Sequence, residues 1–116
     1  MSTLDEQVMH QSATFGIVRR SPPAAGGARL AVAGHLDVES APILIECVRG
    51  LLKQGVRDVE IELLDVPFIS SMGVGSLIAL IGEARELGGE VALCSVSPDV
   101  LSVLQMLDLL DFVTLR

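Results

Sequence analysis

The sequence predicts an α/β fold, a mixed β-sheet of about five strands packed by three to four helices. Three observations carry this expectation. From Ser40 onward, short apolar runs alternate with stretches of helical periodicity, so the later strands need crossover connections and should be parallel. Two strand-like runs at the front are split by a Pro- and Gly-rich turn and read as a hairpin. Half of the 116 residues are hydrophobic, mostly Val, Leu, Ile and Ala, which is enough for the core of one domain.

Residues 1–13 are polar and unpatterned, and a flexible tail or an added edge segment is expected there. A single domain is expected over residues 14–116. Its first strand is TFGIVR (14–19) and its second RLAVA (29–33), with the turn at residues 21–27. Ser40-Ala-Pro42 then opens a helix, because Ser is a good N-cap and Pro is tolerated in a first turn. Leu44, Val48, Leu51 and Leu52 recur at helical spacing before Gly55 stops it.

VEIELL (59–64) reads as the third strand. Val74, Leu77, Ile78, Ile81 and Arg85 lie on one side of a second helix that ends at Gly88-Gly89. EVALCSV (90–96) is the fourth strand, Ser97-Pro98-Asp99 caps a third helix through about Leu107, and residues 112–115 form a last short strand.

Composition excludes several function classes. Eight basic residues stand against fifteen acidic ones, a net charge of −7, and the basic ones are scattered from Arg19 to Arg116. Direct binding to nucleic acid or to an anionic membrane is therefore not expected, whereas an acidic surface suits a basic protein partner. Aromatic residues make up 3%, too few to line a pocket for a flat cofactor, and none is expected. Cys47 and Cys94 are far apart and read as small core hydrophobes. No basic segment followed by an apolar run opens the chain, and the uncharged stretch from Val66 to Gly82 contains Pro67 and falls short of a membrane span, so a cytoplasmic protein without membrane insertion is expected.

Catalytic and metal readings fail for want of converging groups. His35 stands near Asp37, but no third ligand has suitable spacing, and His10 lies in the tail. Gly73-Val-Gly75 follows a strand and opens a helix, yet Ile78 occupies the third glycine position of a dinucleotide fingerprint and no Walker-A lysine is present.

The stretch from Leu63 to Ser76 is the most informative. A strand ends, a loop follows, and a helix begins at Ser70 or Ser71 with small residues. Free N–H groups and the positive dipole end favour an anion there. A serine at this junction is either a phosphate acceptor or simply the helix cap. Gly73 and Gly75 are expected to leave the surface around it open.

With Ala33-Gly-His-Leu-Asp37, Ile61-Glu-Leu-Leu-Asp65-Val-Pro-Phe-Ile, Ser71-Met-Gly-Val-Gly75, Gly88-Gly-Glu-Val-Ala-Leu-Cys and Leu107-Asp-Leu-Leu-Asp-Phe-Val in order, the sequence resembles the STAS family and, within it, the anti-sigma-factor antagonists. The resemblance spans about residues 14–116 and implies a STAS fold. It also implies a non-catalytic protein that binds an anti-sigma factor acting as a serine/threonine kinase, and that is switched off when the kinase phosphorylates a serine. In the usual motif, Asp-Ser-Ser-Gly-Leu-Gly, the first Ser is the acceptor. Aligned on Gly73 and Gly75, the acceptor falls on Ser71, while Met72 replaces the second Ser and Ser70 the Asp. Ser70 is then an alternative acceptor. The partner surface implied by resemblance comprises Asp37, Ser70, Met72, Gly73, Gly75, Ser76 and Ala79, continuing to Gly82 and Glu83. Asp37 equally suits a cap on the turn into the helix. The alternative function is a STAS scaffold or accessory subunit of a stress-signalling or lipid-transport complex.

Overall fold

Side-chain alternation along the strands decides which face of the sheet the helices cover. The computed structural model describes residues 6–20 and 26–116. The elements run β1 (Gln7–Gln11), β2 (Phe15–Arg20), β3 (Ala28–Gly34), α1 (Ala41–Lys53), β4 (Asp58–Asp65), α2 (Ser71–Glu86), β5 (Glu90–Cys94), α3 (Pro98–Met106) and β6 (Thr114–Leu115). They form one sheet in the order β1-β2-β3-β4-β5-β6. The β1/β2 and β2/β3 pairs are antiparallel and every later pair is parallel, as the hairpin and the crossovers predict.

Leu30 and Val32 of β3, Val59, Ile61 and Leu63 of β4, and Val91 and Leu93 of β5 share one face and are buried. Against them lie Leu44, Val48 and Leu51 of α1, Leu77, Leu80 and Ile81 of α2, and Val100 and Leu104 of α3. The opposite parity carries a chain of ion pairs. Arg20 pairs with Glu62 at 3.2 Å, Arg29 with Glu60 at 3.0 Å, and Arg116 with Glu60 at 3.0 Å and Asp58 at 2.9 Å. Glu60 is thus a buried carboxylate held by two guanidinium groups, which offsets the cost of removing its charge from water.

Several expectations need correction. Residues 7–11, expected as a flexible tail or an added edge segment, form an edge strand on β2, with a bulge between Val8 and His10. The Ser12 amide donates to the Phe15 carbonyl at 2.9 Å to close the turn, and half-buried Met9 packs on the core. The sheet therefore has six strands, with three helices among the described residues. Most of the expected turn at residues 21–27 lies outside the described residues. The fourth strand stops at Cys94, because Ser95 turns the chain with φ of 49°, and the last strand is only Thr114–Leu115. In α2 the buried stripe takes Leu80 and Ala84, while Ile78 and Arg85 are exposed. The cause is that α2 packs on α1 as well as on β5, which turns its apolar arc toward both.

Replacing the fully buried Ile61, on a central strand, should therefore be costly. Ile61→Ala is expected to lower the unfolding free energy by about 2–5 kcal/mol in a urea titration. A loss under about 1 kcal/mol would contradict a close-packed face there.

Candidate functional site

Two neighbouring parallel strands end at the same edge of the sheet, so the loops after β3 and β4 emerge side by side. They are sewn together. The Leu36 amide donates to the Phe68 carbonyl at 3.0 Å, and the Ser70 amide donates to the Leu36 carbonyl at 2.9 Å. These bonds form an isolated parallel bridge between Leu36 and Ile69, and both side chains are buried. Gly73 in the first turn of α2 sits directly against this bridge. A Cβ there would run into the Leu36 carbonyl oxygen and the Ile69 side chain. Gly73 is therefore buried and required for close approach, not for an open surface as expected. Gly75 does fit that expectation: it is exposed, and a Cβ added there would meet nothing within 4 Å.

The two serines at the junction divide their roles. Ser70 is the N-cap, with extended backbone, and its Oγ accepts a hydrogen bond from the Gly73 amide at 3.3 Å. Ser71 is the first residue of α2 and is exposed, and its hydroxyl has no hydrogen-bond partner among the described residues. Ser76, expected on the partner surface, is 4% exposed and donates to the Gly73 carbonyl at 2.6 Å, so it lies beneath that surface. Ala79 is half-buried. Glu83, expected on the same open face, is instead clasped by Arg49 of α1 through bonds of 2.8 and 2.6 Å, which lower its pKa from the ordinary value.

Asp37 builds the turn into α1. Its Oδ1 accepts from the amides of Glu39 at 3.0 Å and Ser40 at 3.2 Å, and its carbonyl accepts from Ala41 at 2.8 Å. Ser40 stands at the N-cap position of α1, but its hydroxyl turns back to donate to the His35 carbonyl at 2.7 Å. The backbone donors of Ser40 and then Glu39 hold the Asp37 carboxyl below its ordinary value of 3.8.

Exposed apolar side chains belong to the same end of the molecule. Met72 is 54% exposed, Phe68 48% and Val38 62%. His35 tilts over Phe68 with ring centroids 5.4 Å apart. Phe68 and Val38 were not among the sequence-selected residues. The signal for them was an apolar residue beside a polar turn, on the outward side of buried Ile69 and Leu36. Cys94 is buried and Cys47 half-buried, and burial pushes both thiols up. Among the described residues, no three His, Cys, Asp or Glu side chains gather as a metal site, and no helix is long and apolar enough to cross a membrane.

A family model for the STAS domain matches residues 23–116. The chain belongs to the STAS domain family. This STAS domain is 32% identical over 82 residues to the anti-sigma-B factor antagonist of Bacillus subtilis, covering 71% of this chain and 74% of that one. An anti-sigma factor antagonist from Mycobacterium paratuberculosis superposes with a TM-score of 0.77 at 17% identity, covering 92% of this chain and 90% of that one. The Bacillus antagonist SpoIIAA shares the fold in both its unphosphorylated and phosphorylated forms, each with a TM-score of 0.66 at 18% identity and 89% of this chain covered, against 87% and 91% of those chains.

The packing at the junction of this STAS domain sets two expected outcomes. Gly73→Ala should lower stability by about 1–3 kcal/mol through overpacking against the bridge, while Gly75→Ala should be neutral or stabilise by up to about 1 kcal/mol. Equal losses for both in chemical denaturation would refute the assigned close approach. The other outcome concerns pH. The Asp37 pKa is lowered on folding, so its contribution is present above 3.8 and is lost as pH falls through the lower folded value. Asp37→Asn should flatten the acid limb of the stability curve in that range, and an unchanged limb would assign it to other carboxylates.

Proposed function

We propose that this STAS domain is an anti-sigma factor antagonist that binds a serine-kinase anti-sigma factor and is released by phosphorylation on Ser71. One observation carries the choice of serine. The Ser71 hydroxyl is exposed and unbonded among the described residues, whereas the Ser70 oxygen is occupied as the cap of α2. A kinase that reached Ser70 would have to give up that cap bond, worth about 1 kcal/mol. The name of the Bacillus subtilis relative and the phosphorylated form of SpoIIAA support a switch of this kind.

The chemistry is one phosphoryl transfer. The Ser71 Oγ attacks the γ-phosphorus of ATP, ADP departs, and the hydroxyl proton passes to a base on the kinase. The product dianion sits where the free amides and dipole of the α2 N-terminus favour it, so the helix is not disrupted. It brings a charge of about −1.5 to −2 next to Met72, at the end of the molecule that also exposes Phe68 and Val38. A partner that covers these apolar side chains must then strip water from the phosphate, and the complex opens.

Contact with the partner falls to Met72, Gly75 and Ala79 together with Val38 and Phe68, which line the exposed side. Asp37, Ser70, Gly73 and Ser76 hold the loops that present them. A STAS scaffold or accessory subunit is the second reading, favoured by Ser70 standing where the family motif has its Asp. The protein is assigned to the cytoplasm as the compartment of an ATP-dependent kinase.

Capture of partners from native cytoplasm, followed by incubation with the captured kinase and ATP, separates the readings. Ser71→Ala should abolish phosphate incorporation, Ser70→Ala should keep it, and Ser71→Glu should weaken binding at least about tenfold. Identical non-kinase partners on wild type and Ser71→Glu would sink the switch and leave the scaffold.

A further inference from the structure

The C-terminal ends of α1, α2 and α3 all lie at the end of the molecule away from Ser71, since each helix returns antiparallel to the strand before it. Contacts fix their order across that end. The Glu90 amide donates to the Arg57 carbonyl at 2.8 Å, which places the turn after α2 beside the start of β4. On the other side, the Arg85 guanidinium donates to the Phe112 carbonyl at 2.8 Å, which places the same turn beside the segment after α3. Exposed Leu87 caps α2 in the middle.

Charge divides along this line. On the α1 side stand Lys53 and Arg57, neither of which has an ion-pair partner among the described residues. A hollow of about 370 Å³ lies there, lined by Leu52 and Leu87, by Lys53 and Arg57, and by the Arg49–Glu83 ion pair. On the α3 side stand Asp108 and exposed Asp111, likewise unpaired among the described residues, together with Met106, which is 83% exposed, and exposed Leu107. A basic lip with a hollow that offers Leu52 and Leu87 thus faces, across Leu87, an acidic lip with an apolar knob.

We infer that this end of the molecule is an isologous interface for a second copy of the chain. A two-fold axis through Leu87 lays each basic lip over the other copy's acidic lip and brings Met106 and Leu107 to the other copy's hollow. A closed pair of this kind needs the same patch to be complementary to itself, and the charge order supplies that. Burying Met106, Leu107 and Leu87 provides the favourable area, while the charge pairs fix the register. The two Ser71 surfaces then point away from each other, at opposite ends of the pair. The pairing is independent of whatever binds at Ser71.

Sedimentation equilibrium of the full chain, at millimolar protein and low salt, tests it. The expected species is a dimer of the 12.3 kDa chain whose dissociation constant rises with added salt. Lys53→Glu alone and Asp111→Lys alone should each weaken it at least about tenfold. Mixing those two variants, or joining both changes in one chain, should restore it, because every contact then regains opposite charges. Leu87→Glu should give a monomer, with far-ultraviolet circular dichroism confirming that it is folded. A monomeric wild type, or a dimer indifferent to the charge reversals, would overturn the inference.

Discussion

The bridge between Leu36 and Ile69 is the constraint on which the candidate site depends. Two backbone hydrogen bonds extend the β3/β4 pairing past the end of the regular ladder, and both side chains point into the core. Loops normally carry more freedom than the elements they join, and here that freedom is removed at one point in each loop. Because Gly73 lacks a side chain, α2 starts in contact with the bridge. The position of Ser71 is thereby tied to the sheet through only a few atoms.

This arrangement separates structural hydroxyls from available ones. The Ser40, Ser76 and Ser97 hydroxyls donate to the His35, Gly73 and Val66 carbonyls, and the Ser70 oxygen accepts from the Gly73 amide. None of these hydroxyls is left buried without a partner, which would cost about as much as a lost hydrogen bond. Ser71 stands among them with no such duty. The Ser70 cap next door would keep α2 formed if Ser71 gained charge, so the proposed phosphorylation would alter the surface and leave the fold in place.

Much of this was legible in the sequence, and what was missed has definite physical causes. The hairpin, the crossovers and the junction at Ser70 and Ser71 follow from periodicity and cap chemistry, which are local. At Gln7–Gln11 the sequence leaves a tail and an edge segment both open, because an edge strand with one wet face shows little apolar alternation. Gly73 and Gly75 look equivalent as letters, but only the fold brings the Leu36 carbonyl to one and solvent to the other. Ser76 and Glu83 were placed on an open face because helical spacing gives an angle without saying what lies across it. The burial of Ser76 and the Arg49 clasp on Glu83 decide their roles, and both depend on what the fold packs against α2. Phe68 and Val38 entered the site for the same reason, as neighbours created by the bridge.

Electrostatics keeps the two ends of the molecule independent. α2 has 16 residues and is therefore about 24 Å long, against a Debye length of about 8 Å at physiological ionic strength. A phosphate on Ser71 is screened from Lys53, Arg57, Asp108 and Asp111, although the chain as a whole already carries −7. Its effect on binding must then come from its immediate neighbours. Met72 follows Ser71 directly, where the family motif has a hydroxyl, and Phe68 and Val38 are exposed apolar side chains at the same end of the molecule. Desolvation of a dianion against such side chains costs more than its repulsion by distant acidic groups. Under the proposed switch, Met72 at the position where the family motif has a hydroxyl would sharpen the contrast between the two states of Ser71, although position 70 carries no carboxylate.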